Sequence, residues 1–448
     1  MQIFVKDKEF YKKVVTIALP VTLQSLINIG INMADTIMLG YFGESQLSAS
    51  SLANQFLSLF HILCMGIGGG AAVMTAQYWG KRDILSLKKV ITLMHRIVFT
   101  VATFFMIITL LFPEQIMRIY TPNPELIEKG KEYFSYMAFT YLFLGLSLTS
   151  TIVLRSFGAV NIPLYSSLFS LIINVFLNWV FIFGKLGAPR MEIAGAALAT
   201  LVSRIFEFAF ICGYLFFFDN KVKYRIKDIK MQCKSIINEY FTYSVPVIIS
   251  DMLLALGNNA VAIVMGRIGS NFVSANAIAS VVVHFTTFAN HGLANASGII
   301  TGNTLGEGEE DKAYRQGVTF FVLSGIIGCI ASIIIMIISP YVIGLYNITS
   351  ETVAIAKELM IAVAINVIFA SIASVMTKGV LRGGGDTRFL MVADILFLWI
   401  ASVPLGILTG LVFRMSPFII YTALRIDAVI KSLWCIKRLV SKKWIRRI

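Results

Sequence analysis

The sequence predicts an all-α integral membrane protein, with twelve transmembrane helices in two six-helix bundles related by a pseudo-two-fold axis along the membrane normal. Of its 448 residues, 57% are hydrophobic and only 14% are charged, whereas a soluble domain carries about 25% charged residues. Long apolar runs recur from end to end, and the second half of the chain repeats the first. At about 20 residues per span, no room remains for a soluble catalytic domain.

Twelve apolar segments predict the spans in chain order. In the first half they cover 14–39, 51–79, 90–112, 131–154, 162–184 and 193–218, and in the second half 238–266, 274–303, 317–338, 352–377, 389–412 and 417–436. Their continuous hydrophobicity indicates helices, because barrel strands would alternate over about ten residues. We therefore predict an N-terminal lobe over 1–218, a basic cytoplasmic linker over 219–237 and a C-terminal lobe over 238–448.

The basic residues are distributed unevenly between the predicted loops. With the N-terminus inside, the inner segments hold 28 of the 38 Lys and Arg residues and the outer segments hold 8, while Arg204 and Arg425 lie within spans. Inner loops of membrane proteins carry this excess, so both termini are predicted to be cytoplasmic in a multi-pass cell-membrane protein. The net charge of +14 then reflects topology and attraction to anionic lipid, and no nucleic-acid partner is expected.

An internal repeat relates the two halves. A shift of 226 residues places Pro20 on Pro246 and Gly80 on Gly306, and a shift of 227 places the triplet Val153–Arg155 on Val380–Arg382. Because six spans per half is an even number, both halves insert the same way up. Parallel repeats of this kind are typical of secondary transporters.

Four motifs narrow the class of transporter. They are NMADTIMLGYFG around Asp35, LIINVFLNWVFIFG over 171–184, GAALATLVSR over 195–204 and VLRGGGDTR over 380–388. In this order they resemble the multidrug and toxic-compound extrusion (MATE) family, including its bacterial NorM- and DinF-like members. The resemblance implies a V-shaped pair of six-helix bundles that exports organic cations in exchange for H⁺ or Na⁺. It also points to Asp35 as the ion-coupling carboxylate.

A polar stripe on the first span is the most informative local pattern. Gln24, Asn28 and Asp35 share one face of a 3.6-residue helix. A carboxylate facing lipid is costly, so this face should line the bundle interior or a water-filled cavity. We expect Gln24 and Asn28 to line the substrate cavity. The alternative is a structural polar seam between helices.

Two further spans could complete an ion site with Asp35. Asn174 and Asn178 lie one helical turn apart on the fifth span, and Thr200 lies on the sixth. Together with Asp35 they offer the hard oxygen ligands that Na⁺ would require, while a lone carboxylate could equally carry a proton. Relatives often carry aspartate at the position of Asn178, so this chain would lack one carboxylate of the site.

The second half offers its own intramembrane carboxylates. Asp251 and Asn258 share a face of the seventh span, and we predict that they bind substrate. The alternative is a carboxylate held by neighbouring hydrogen bonds. Asp394, near the cytoplasmic end of its span, is predicted to be structural. So is the pair formed by Arg204 and Glu207.

The predicted function is therefore secondary active antiport of small organic cations by a monomer, without a cofactor other than H⁺ or Na⁺. A lipid-linked saccharide flippase is one alternative, but its cavity would need more basic residues than the two arginines well inside the spans. An intramembrane enzyme is the other. Neither an HExxH sequence nor a GxSxG elbow is present, so we expect no enzymatic activity.

Overall fold

The computed structural model describes residues 4–41, 43–346 and 348–448, which form helices joined by short connections. Eleven helices of the described part are long and apolar enough to cross a membrane, which confirms the predicted all-α membrane fold. In chain order, including one short helix, the elements are α1 Lys8–Gly40, α2 Glu44–Gly80, α3 Ile84–Leu111, α4 Pro113–Tyr120, α5 Pro124–Ser156, α6 Asn161–Phe183, α7 Glu192–Phe218, α8 Lys234–Ile268, α9 Ser270–Gly306, α10 Glu310–Gly344, α11 Ser350–Gly383 and α12 Thr387–Val412.

The predicted twelfth span is not one continuous helix. Two helices, α13 Pro417–Leu424 and α14 Ile426–Val440, meet at Arg425. The side chain of Arg425 donates to Asn258 Oδ1 at 2.8 Å, and its backbone carbonyl accepts from Asn366 Nδ2 at 3.1 Å. These side-chain bonds satisfy polar groups at the break, which a buried helix end requires.

The helices extend beyond the predicted apolar cores because polar residues cap them. Asp83 accepts a hydrogen bond from the Ser86 backbone N–H at 3.0 Å, so α3 begins at Ile84, six residues before the predicted span. Asn123 caps α5 in the same way through the Glu125 N–H, also at 3.0 Å. Side-chain oxygens at these positions satisfy N–H groups that lack a partner within the helix.

The chain divides into two compact units. The C-unit holds the described residues up to Thr22, the segment Ala76–Arg82 and everything from Ile249 onward, while the N-unit holds Leu23–Thr75 and Asp83–Ile248. Three of the four boundaries therefore fall inside helices, in α1, α2 and α8, and the fourth lies between α2 and α3. The predicted lobes over 1–218 and 238–448 stay a prediction.

The segment between α7 and α8 is folded against α3 within the N-unit. The Asp219 carboxylate accepts the backbone N–H groups of Val222 and Lys223, both at 2.9 Å. Thr92 of α3 contacts the Tyr224 hydroxyl at 2.9 Å and donates to the Asp228 carbonyl at 3.0 Å. The predicted linker is thus an ordered piece of structure.

The segment after α14 packs into the C-unit. Trp444 is fully buried, and its indole N–H donates to the Leu439 carbonyl at 3.2 Å. Its ring lies against Gly384, where an added Cβ would come within 2.2 Å of it. Residue Asp386 is also fully buried. It pairs with Arg438 of α14 at 2.6 Å and with Arg446 of the segment after α14 at 2.8 Å.

Candidate functional site

The predicted ion site brings α1 and α6 together inside the N-unit. Asn178 Nδ2 donates to Asp35 Oδ1 at 2.5 Å and to Asn174 Oδ1 at 3.2 Å. The two asparagines are fully buried and Asp35 is partly buried. Because residues i and i+4 of a helix lie on one face, α6 presents both amides to the same side. Three of the four residues of the predicted site are therefore in one hydrogen-bonded cluster.

This cluster has unused hydrogen-bonding capacity. Asn178 Oδ1 and Asn174 Nδ2 are both buried and have no hydrogen-bond partner among the described residues. A buried polar atom without a partner costs free energy, and most such atoms in proteins are paired with protein or ordered water. One oxygen and one amide N–H are thus available to a water molecule or a small ion beside the Asp35 carboxylate.

Of the α7 residues considered, Arg204 is the one with a described interaction with Asp35. Thr200 is buried, but the hydrogen bonds described for Asp35 do not include it. Arg204 and Glu207 form the predicted pair, with Nη1 and Oε2 separated by 2.5 Å. Arg204 also interacts electrostatically with Asp35. The carboxylate therefore experiences a positive charge that is already paired with Glu207.

The residues of the polar stripe on α1 differ in burial. Gln24 is buried, donates through Nε2 to Ser167 Oγ at 2.8 Å and accepts from Arg155 at 2.5 Å. Asn28, by contrast, is exposed. Residue Arg155 was not among the predicted site residues, because it falls between the fourth and fifth predicted spans. Its recurrence as Arg382 in the repeat was the signal that could have identified it.

In the C-unit, both predicted polar residues of α8 are bound to arginines. Asp251 Oδ1 lies 3.3 Å from Arg382 Nη2, and Asn258 Oδ1 accepts from Arg425 at 2.8 Å. The structure therefore gives Asp251 a cationic partner that the sequence pattern did not predict. A substrate cation would have to compete with it.

Asp394 belongs to a closed polar network. Lys431 Nζ lies 3.0 Å from Asp394 and 3.1 Å from Asp427, and Ser250 also donates to Asp394. Ser402 Oγ donates to Asp427 at 3.1 Å. All four carboxylate oxygens thus have a partner, as expected for the structural role predicted for Asp394. Lys431 was not predicted.

Comparison with known proteins identifies the family. The MatE family model matches residues 20–180 and again residues 246–408, most of the chain. The chain belongs to the MatE family of multidrug efflux transporters. The two matches to MatE begin 226 residues apart, which is the shift of the internal repeat.

Relatives and solved structures agree with the MatE assignment along the chain. The probable multidrug resistance protein NorM of Thermotoga maritima is 25% identical over 446 residues, covering 98% of this chain and 94% of its own. The probable multidrug resistance protein YoeA of Bacillus subtilis is 25% identical over 367 residues, covering 80% and 78%.

Among solved structures, MATE in the straight conformation matches with a TM-score of 0.87 at 18% identity, covering 98% of this chain and 99% of that one. The outward-facing conformation of a multidrug resistance MATE family transporter matches with a TM-score of 0.86 at 19% identity and the same coverage. These structures have the fold of this MatE chain.

Proposed function

We propose that the chain is a secondary active antiporter that exports small organic cations in exchange for H⁺ or Na⁺, with Asp35 as the coupling carboxylate. The observation that carries this proposal is that the partner of Asp35 differs from the partners of the other carboxylates in the spans. Asp251, Asp394 and Asp427 each lie within 4 Å of a basic side chain, whereas the hydrogen bond described for Asp35 comes from the neutral amide of Asn178. A mobile cation can therefore bind Asp35 without first displacing a bound basic side chain.

The cluster accommodates either ion through different atoms. A proton needs only a carboxylate oxygen of Asp35. Sodium needs several oxygens, and Asp35, Asn174, Asn178 and Thr200 supply them once the Asn178 amide turns its unpartnered oxygen toward the ion. In both cases, ion binding shifts the equilibrium between the inward-open and outward-open states. The size of that shift equals the difference in the binding free energy of the ion to the two states.

We propose that polar side chains in each unit contribute to substrate binding. Asp251 and Asn258 supply the polar groups of the C-unit, and Gln24 and Asn28 those of α1. Because Asp251 is negative, it favours a cationic substrate over an anionic one. Its ion pair with Arg382 makes that binding a competition.

The remaining properties follow from topology and composition. We place the protein in the cytoplasmic membrane with both termini in the cytoplasm, as the distribution of basic residues favours. It acts as a monomer and catalyses no covalent reaction. It needs no cofactor other than the coupling ion.

Efflux from proteoliposomes tests this function. Purified protein is reconstituted with entrapped ethidium, and efflux is followed by fluorescence under an imposed proton gradient and, separately, an imposed sodium gradient. We expect one gradient to accelerate efflux above that from protein-free liposomes. Efflux that neither gradient accelerates would overturn the antiport proposal. A response to one gradient alone identifies the ion.

A further inference from the structure

Two ion pairs in the C-unit differ in the exposure of their side chains. Lys431 and Asp394 have side chains only 8% and 6% exposed. Arg382 and Asp251 are 16% and 18% exposed and make a single described contact of 3.3 Å. A pair with one contact of 3.3 Å has fewer and longer bonds to lose than Lys431, which contacts two carboxylates. The Arg382–Asp251 pair is therefore the one that can exchange partners.

The internal repeat provides a counterpart to Arg382. Arg155 occupies the equivalent position at the end of α5 and also reaches the first span of its own half, where it donates to Gln24 at 2.5 Å. Gln24 is buried and also bonded to Ser167. Each half thus has an arginine bound to its first span, but the partner is neutral in one half and charged in the other.

The guanidinium of Arg382 is incompletely satisfied. Its Nε is buried and has no hydrogen-bond partner among the described residues. An arginine can use five N–H donors and usually holds a carboxylate through two parallel bonds, whereas here one Nη contacts one oxygen. Lys431 in the closed network binds two carboxylates. The arginine therefore neutralises Asp251 without fixing it.

We propose that Arg382 is a tethered cation that occupies the Asp251 carboxylate when no substrate is bound and is displaced by the organic cation. Arg382 then determines the affinity and the selectivity of substrate binding. When the arginine leaves, the Asp251 carboxylate loses a positive charge, and only a positively charged ligand replaces it. This inference rests on the proposed function, since it makes Asp251 the group that binds the exported cation.

The size of the effect follows from the occupancy of the pair. Apparent affinity falls in proportion to the fraction of the protein whose site is open. If Arg382 occupies Asp251 about nine-tenths of the time, removing it should tighten cation binding about tenfold. A purely structural Arg382 would instead lower stability without tightening binding.

Ethidium binding to the full chain in nanodiscs tests this, measured by fluorescence anisotropy. We expect Arg382→Gln to bind about tenfold more tightly than the unmutated protein, and the double variant Asp251→Asn/Arg382→Gln to lose that gain. Arg118→Gln is the control, because this exposed arginine of α4 pairs with Glu114 outside both proposed sites, and it should leave the ethidium affinity unchanged. Equal or weaker binding by folded Arg382→Gln would overturn the inference.

A second variant covers failure of Arg382→Gln to fold. Arg382→Lys keeps the positive charge but loses reach and the planar donor fork, and we expect about two- to threefold tighter binding. Unchanged binding by this variant also counts against the inference. If the unmutated protein neither binds ethidium nor exports it under either gradient, the proposed function fails as well. If it exports ethidium while the Arg382 variants bind normally, only the role of Arg382 is wrong.

Discussion

At the scale of residues, the proposed binding of a cation by Asp35 depends on the immediate partners of this carboxylate. Asn178 directs its N–H toward the carboxylate and leaves its own oxygen without a partner. An amide in this orientation stabilises the ionised carboxylate, since hydrogen bonds to the charged form favour it. A cation that binds here must match that donor or make the amide turn.

Replacing Asp35 tests the coupling role directly. Asp35→Asn removes the charge but keeps the size and a hydrogen-bonding group, so we expect ion-driven ethidium efflux to be lost while the melting temperature changes little. Both are measured on the same purified protein. Asp251→Asn is the control, for which ion dependence should persist while apparent substrate affinity falls. Gradient-driven efflux at the unmutated rate from folded Asp35→Asn would contradict the assignment.

Restoring a second carboxylate tests the choice of ion. Asn178→Asp places a carboxylate beside Asp35, and two carboxylates bind a hard cation such as Na⁺ better than one carboxylate and an amide. We expect the sodium concentration for half-maximal efflux to fall about tenfold, equivalent to about 1.4 kcal/mol. Asn174→Asp, on the same face of α6, is a useful comparison. Unchanged sodium dependence in Asn178→Asp would show that sodium does not bind at this cluster.

Helical periodicity was sufficient to predict much of this site but not its basic partners. The i and i+4 spacing of Asn174 and Asn178 predicts that they share one face of the fifth span, and the structure bonds Asn178 to both Asp35 and Asn174. Arg382 and Lys431 were missed, because spacing along one helix does not reveal a partner on another. Arg155 falls just after the fourth predicted span, because hydropathy ends that span at 154, whereas the helix continues to Ser156.

At the scale of elements, the segment between α7 and α8 and the segment after α14 both pack against helices. Hydropathy predicted the spans, since apolar runs of that length have few alternatives in a membrane. It could not predict the break at Arg425, which depends on bonds from α8 and α11. Nor could it place the segment after α14, whose position depends on one buried tryptophan.

Trp444 should contribute substantially to the stability of the C-unit. Its side chain is 0% exposed, and truncating a buried tryptophan to alanine typically costs about 3–5 kcal/mol. Thermal unfolding in detergent, followed by fluorescence, should therefore show a clear destabilisation in Trp444→Ala. Trp434→Ala is the matched control, because Trp434 is 40% exposed. Equal destabilisation by both variants would contradict the packing role of Trp444.

The segment between α7 and α8 should loosen only in acid. Burial opposes ionisation of Asp228, but hydrogen bonds from Lys88 and the Arg225 N–H hold its pKa below the ordinary value of 3.8. A carboxyl with a depressed pKa contributes stability above its unfolded pKa and loses it as pH falls through the folded pKa. Burial raises the pKa of Tyr224 to about 12, so its contact with Thr92 does not titrate in this range.

Proteolysis measures this loosening. We expect pepsin to cut within 219–233 increasingly as the pH is lowered below 3.8 and to spare the segment at higher pH. In Asp228→Asn, the charge of the carboxylate is absent at every pH. Cleavage of the segment in this variant should therefore show the same pH dependence as cleavage of an unstructured peptide substrate. A cleavage rate in the unmutated protein that shows the same pH dependence as that of an unstructured peptide substrate would refute the proposed contribution of Asp228.

At the scale of the whole molecule, residues that are equivalent in the sequence repeat also make equivalent contacts. Within the C-unit, a Cβ added to Gly80 would lie 2.0 Å from the Asn303 carbonyl oxygen, and one added to Gly306 would lie 2.0 Å from the Gln77 carbonyl oxygen. Gln77 and Asn303 are themselves related by the 226-residue shift. The ends of α2 and α9 therefore approach each other through equivalent positions.

This close approach predicts matched effects of two distant substitutions. Gly80→Ala and Gly306→Ala should each force the helix ends apart, because backbone cannot move aside as a flexible side chain can. We expect both to lower the melting temperature by similar amounts. Gly266→Ala is the control, since nothing lies within 4 Å of a Cβ added there and alanine favours helix over glycine. Tolerance of alanine at either crossing position would contradict the contact.

The reciprocity of this crossing bears on the origin of the chain. In a homodimer with two-fold symmetry, residue i of one copy contacts j of the other, and j contacts i. Subtracting 226 from the residue numbers of the second half turns 303 into 77 and 306 into 80. Gly80 against Asn303 and Gly306 against Gln77 are then the same contact between positions 80 and 77, made twice. An ancestral half-length polypeptide could therefore have made this contact with a second copy of itself before gene duplication and fusion. Asparagine at 303 and glutamine at 77 would then record divergence after fusion, when each copy was free to change alone.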